Sequence, residues 1–144
     1  MAKTTKTTKK QAAAIANGSL KPISPELHGL IDYGFAASNL LLPRVFGLRP
    51  GARRLFAVFG LAQGGLNAVT AQPNALTPAV SFANHGRIEK SSGLLYIALS
   101  AVFGVLAERR ARRYWLAAGA ALVAVYNLTD WNASRTTKKP KRRR

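Results

Sequence analysis

The chain has 144 residues, one domain's worth, and carries 22 lysines and arginines against 5 acids (net charge +17) with 48% hydrophobic residues. Cysteine is absent, which excludes disulfides, thiolate metal sites and a cysteine nucleophile. High charge and high apolar content conflict in a simple soluble domain. The conflict resolves by segregation: bases crowd the two ends and the short connections, and the stretches between are rich in Ala, Leu, Val and Gly.

Residues 1–22, with their Lys-Thr repeats, read as a disordered basic tail. The apolar run at 11–16 is too short for a signal-peptide core. Ser24-Pro25-Glu26 is a helix start, with Ser as N-cap, Pro at the first helical position and an acid in the first turn. The first helix is expected over 25–42, stopping near Pro43. A connection containing Arg49-Pro50-Gly51 leads to a second helix over 55–71, apolar apart from Gln63 and Asn67. Its Gly60-x3-Gly64 spacing lets helices approach closely. Two prolines break the linker at 72–78. The third helix begins polar near Ser81 and turns apolar over 93–106. The run Glu108-Arg109-Arg110-Ala111-Arg112-Arg113 forms a tight turn, and a fourth, wholly apolar helix is expected over 114–128. Residues 132–144 form a second basic tail.

The chain also repeats itself. Ser24-x3-His28-Gly29-x-Ile31-Asp32 returns as Ser81-x3-His85-Gly86-x-Ile88-Glu89. Val45-Phe46-Gly47 and Ala52-Arg53-Arg54 recur as Val102-Phe103-Gly104 and Ala111-Arg112-Arg113. The expected fold is therefore all-α: four transmembrane helices in residues 23–131, built as two parallel helical-hairpin repeats at 24–71 and 81–130. A helix apolar on every face needs a large protein or lipid around it, and this chain is too small to enclose two such helices. The apolar stretches, roughly 14–18 residues, are short of the roughly 20 that span a bilayer comfortably. Snorkelling arginines and the interfacial rings of Trp115 and Trp131 would lengthen the span. The balance of basic residues points to cytoplasmic tails.

Four-span topology gathers polar residues in one leaflet. His28, Asp32, Phe35 and Asn39 form one helical stripe, and His85, Glu89, Ser92 and Tyr96 form its repeat. Two His–acid pairs, each four residues apart on a helix, offer two imidazoles and two carboxylates to a divalent metal such as zinc, iron or manganese. The same groups can instead relay protons. Asn39, Asn67, Tyr96, Asn127 and Asp130 complete the expected polar packing layer, with Thr70 beside them. The bland reading is that the whole layer only fixes helix packing.

The segment Ile23-Ser24-Pro25-Glu26-Leu27-His28-Gly29-Leu30-Ile31-Asp32-Tyr33, with Leu40-Leu41-Leu42-Pro43-Arg44-Val45-Phe46-Gly47-Leu48 after it, resembles small bacterial four-span membrane proteins of the SPW-repeat group. That resemblance covers residues 23–131 and implies a fold and a place in the bacterial inner membrane; the group brings no settled activity. No nucleophile elbow, phosphate loop, dinucleotide fingerprint or HExxH motif is present, so no enzymatic activity is expected. The leading expectation is a non-enzymatic membrane scaffold or accessory protein, self-associating through small-residue faces. A metal- or proton-handling membrane protein using His28, Asp32, His85 and Glu89 is the rival, and a soluble nucleic-acid-associated helical protein the third reading. The basic tails are expected to meet anionic lipid headgroups rather than nucleic acid, since they lack interleaved aromatics for base stacking.

Overall fold

The computed structural model describes residues 21–133, and both basic tails fall almost wholly outside them. Four helices follow one another: α1 (Pro25–Val45), α2 (Pro50–Ala68), α3 (Phe82–Val102) and α4 (Arg109–Leu128). Among the described residues there are no strands, only two isolated bridges. The architecture is all-helical, as the sequence predicts.

The helix ends differ from expectation for reasons that can be named. Ser24 and Ser81 cap α1 and α3, each side chain accepting a backbone N–H from three residues on (Leu27 and Asn84). α1 does not stop at Pro43. In the last turn that proline forfeits little more than the hydrogen bond its own nitrogen would have given, and the helix runs on to Val45. The stop comes from Gly47, which takes φ +62°, with Gly47 N–H donating to Arg44 O and Leu48 N–H to Pro43 O. Gly104 ends α3 identically at φ +71°, with Gly104 N–H to Ala101 O and Val105 N–H to Ser100 O. Both are Schellman closures, in which a left-handed glycine satisfies the last carbonyls. The apolar stretch 93–106 is therefore not one continuous helix.

The arginine-rich segments expected as turns are first helical turns instead. Pro50 is the first residue of α2, where its missing N–H is no loss. The Glu108 carboxylate, at the N-cap of α4, also accepts the Arg49 backbone N–H at 3.1 and 3.2 Å. One acid thus offsets the positive ends of two helices whose first turns are basic.

The bundle has two unlike ends. At the hairpin-turn end, Leu48, Ala52, Leu55, Phe56, Val105 and Ala111 form the buried apolar core, with Phe59, Tyr96, Leu99, Tyr114 and Trp115 packed on it. α1 and α2 lie close together: a Cβ at Gly60 would stand 2.9 Å from Asn39 Cβ and 3.0 Å from Ala36 O. The Gly60-x3-Gly64 spacing is thus a helix contact. Between α3 and α4 stand rings instead, Tyr96 stacking on Trp115 at 5.9 Å. At the other end the chain is stitched by two parallel bridges. Ile23, leading into α1, pairs with Thr129 at the exit of α4; Val80, leading into α3, pairs with Thr70 at the exit of α2.

Beyond that core, burial departs from the usual pattern. His28, Asp32, Asn39, Asn67, Thr70, His85, Ser100 and Thr129 are buried, while Leu41, Leu61, Leu94, Val102 and Val123 are all more than half exposed. No helix among the described residues is long and apolar enough to cross a membrane. In α1 His28, Asp32 and Asn39 are buried while Glu26 and Arg44 are exposed, and α3 opens with exposed Arg87 and Lys90.

Candidate metal centre

Residues 28 and 32 lie one turn apart on α1, and 85 and 89 one turn apart on α3, so each helix presents an imidazole and a carboxylate from one face. The two faces meet. The His28 and His85 rings are 5.3 Å apart and nearly perpendicular, and one ligand atom from each of His28, Asp32, His85 and Glu89 falls within 4.8 Å of all the others. Asp32 Oδ2 lies 3.2 Å from His28 Nε2 and 3.3 Å from His85 Nε2; Glu89 Oε1 lies 3.8 and 3.6 Å from the same two nitrogens. Ligands 2.0–2.1 Å from a tetrahedral cation stand about 3.3–3.4 Å from one another. The two Asp32 contacts match that spacing, and the two Glu89 contacts exceed it by a few tenths of an ångström.

Hydrogen bonding separates these atoms from the rest of the layer. Despite the short separations, His28 Nε2, His85 Nε2 and Asp32 Oδ2 have no hydrogen-bond partner, and all three are buried. The nitrogens and the oxygen are near one another without being aligned as donor and acceptor. The amides beside them are satisfied. Asn67 Nδ2 donates to Gly29 O at 2.8 Å, and Gln63 Nε2 donates to Asp32 Oδ1 at 3.1 Å.

The far nitrogen of each ring is held by a threonine from the other hairpin. His85 Nδ1 is 2.7 Å from Thr70 Oγ1, and His28 Nδ1 is 3.0 Å from Thr129 Oγ1. Each hydroxyl spends its only proton on a carbonyl one turn back, Thr70 on Leu66 O and Thr129 on Val125 O, both at 2.6 Å. The hydroxyl oxygens must therefore accept, and both histidines must carry their proton on Nδ1. In a neutral ring that tautomer leaves the Nε2 on the side of the common centre with a lone pair. A ligating histidine oriented through its other nitrogen is the usual construction of a metal site.

Trp131 covers the cluster. Its ring packs 4.7 Å from His28, 4.8 Å from Phe82 and 5.9 Å from His85, and Nε1 donates to Tyr126 O at 3.0 Å. Gly86 makes room for it, since a Cβ there would stand 2.7 Å from the indole carbons. Gln72 occupies the matching position above Gly29. Trp131, expected at the end of the fourth helix, lies three residues beyond the end of α4 and packs over the site.

The remaining layer residues are placed unevenly. The two stripes meet only at their first two members. Asn39 is buried and accepts from Tyr114 OH at 3.1 Å, towards α4. Tyr96 packs edge-on against Phe59 of α2. Phe35 lines a groove between α1 and α4, and Ser92 bonds its own helix at Glu89 O. Asn127 is exposed and bonds back to Val123 O, so it does not join the layer; Asp130 caps the Asn132 N–H. Sequence reasoning missed Thr129, the Gln63–Asp32 bond and the lid. A usable signal existed: Thr70 and Thr129 are 59 residues apart, the same offset as Ala52 and Ala111, whereas the histidines are 57 apart.

No protein-family model, curated protein or solved structure matches this chain.

Proposed function

We propose that this chain is a small membrane-embedded protein, built from two copies of one hairpin, that binds a divalent transition cation between His28, Asp32, His85 and Glu89. The observation that carries the metal reading is the convergence of His28 Nε2, His85 Nε2 and Asp32 Oδ2, buried 3.2–3.3 Å apart through the shared oxygen without an aligned hydrogen bond, in a layer whose amides and hydroxyls are otherwise paired. Each such orphan costs about 1–3 kcal/mol, a penalty that a bound cation removes. With both imidazoles neutral, as ligation requires, the two carboxylates give the site a formal charge of −2, which a divalent ion cancels inside a low-dielectric bundle. Imidazole with carboxylate suits zinc, iron or manganese.

The test is metal content by elemental mass spectrometry on detergent-purified protein, beside His28→Ala/His85→Ala. One zinc, iron or manganese per chain, lost in a double variant that keeps its helical circular dichroism, is the expected result. Folded protein that takes up none of the three after loading would overturn the metal reading and return the layer to a packing scaffold.

The membrane reading is supported by exposed aliphatic side chains on every helix: Leu30 and Leu41 on α1, Val58 and Leu61 on α2, Leu94 and Val102 on α3, Leu116 and Val123 on α4. α1 and α3, at 21 residues each, reach about 31 Å, close to a hydrocarbon core of about 30 Å. The protein should stay with membranes through alkaline extraction. Recovery as a defined soluble oligomer without detergent would assign the same faces to self-association.

A further inference from the structure

The four donors are not held alike. Three are clamped: His28 by Thr129, His85 by Thr70, and Asp32 through Gln63, which donates to Oδ1 and leaves Oδ2 facing the centre. These three side chains are at most 1% exposed. Glu89 is 15% exposed, its contacts to the two nitrogens are the long ones at 3.8 and 3.6 Å, and no hydrogen bond from a described residue reaches its carboxylate.

The sequence carries a matching difference between the halves. Gln63 lies seven residues before Thr70, and the residue seven before Thr129 is Leu122. Where the first hairpin places an amide to fix its acid, the second has an aliphatic side chain that cannot donate. The unfixed acid is also the longer one, Glu in place of Asp. One more methylene gives its carboxylate an extra torsion, so it can leave the centre without moving α3.

On the metal reading above, we infer that Glu89 is the exchangeable ligand of the centre. His28, His85 and Asp32 form a fixed two-histidine, one-carboxylate triad, and the Glu89 arm swings aside to admit or release a divalent cation. A site closed by four clamped ligands serves structure; one with three fixed ligands and a free arm serves exchange, and it can open a coordination position to water or a small anion.

Two variants that remove the same charge separate anchoring from electrostatics. Protein loaded with Zn(II) or Co(II) is mixed with excess EDTA, and release is followed by the Co(II) visible band or a zinc dye. Glu89→Gln should keep one cation per chain and release it about tenfold faster or more, whereas Asp32→Asn should lose stoichiometric binding. Circular dichroism establishes that each variant is folded. Loss of binding in Glu89→Gln as complete as in Asp32→Asn, or equal release rates in Glu89→Gln and the unaltered chain, would overturn the inference and leave the metal site standing. Failure of the unaltered chain to hold Zn(II) or Co(II) would remove the metal reading itself.

Discussion

Replacing Thr70 by Val keeps shape and volume and deletes one oxygen. That oxygen accepts the Nδ1 proton of His85 at 2.7 Å, in a place where neither residue sees solvent. Two consequences separate by measurement. The Nδ1–H is left buried without an acceptor, which costs about 1–3 kcal/mol of folding stability. The ring also loses what fixes its tautomer and direction, and loss of such an outer partner lowers metal affinity by about 10–100-fold. A competition titration of Zn(II) against a chromophoric chelator reads the affinity, and thermal unfolding with and without zinc reads the stability. Thr70→Ser keeps the oxygen and should hold affinity within about tenfold of the unaltered chain. Thr129→Val should repeat the loss through His28, whose Nδ1 bond is 3.0 Å. If Thr70→Val lowers the melting temperature but leaves zinc affinity where it was, the threonine is only a packing residue. The tautomer argument then fails.

Zinc at a hundredfold excess over its dissociation constant should add about 2.7 kcal/mol to stability, read as a rise in melting temperature that His28→Ala/His85→Ala abolishes. Gly86→Ala would place a methyl 2.7 Å from the Trp131 ring; it should expel the indole, red-shift its fluorescence and cost about 1–3 kcal/mol, while Gly93→Ala, where a Cβ meets nothing within 4 Å, should do neither. Gly104→Ala forces a side chain into φ +71° at the end of α3 and should cost about 1–2 kcal/mol in chemical denaturation without altering zinc stoichiometry.

The fold was legible because its signals are local. Ser24 and Ser81 announce two helix starts, whereas the repeated Val-Phe-Gly, legible only as a repeat, proves to hold the two Schellman closures. Boundaries went astray where one residue type carries two meanings. Pro43 reads as a terminator yet sits harmlessly in a last turn, and the arginine clusters read as loops yet open α2 and α4. The four site residues were legible because i, i+4 spacing on two helices is local too. Their convergence was not, since it depends on how α1 and α3 pack. Thr129, Gln63 and Trp131 were illegible for the same reason: each acts on a residue of another helix, and the two-residue difference in offset hides Thr129 from a fixed-period comparison.

The crossed threonines tie the site to the whole bundle. His28 belongs to the first hairpin and is oriented from α4; His85 belongs to the second and is oriented from α2. The backbone bridges cross in the same sense, Ile23 to Thr129 and Val80 to Thr70. Neither hairpin alone can therefore present a correctly oriented imidazole, although each holds its own His–acid pair. Two consequences follow from that arrangement. A cation bound at the centre stabilises the docking of one hairpin on the other more than it stabilises either hairpin, because its ligands come from α1 and α3 while their supports come from α2 and α4. Conversely, any loosening between the hairpins disorients both rings at once, so affinity should fall steeply rather than in proportion to the displacement. Such a centre reports on assembly, and within it Glu89 alone can move without undoing that assembly.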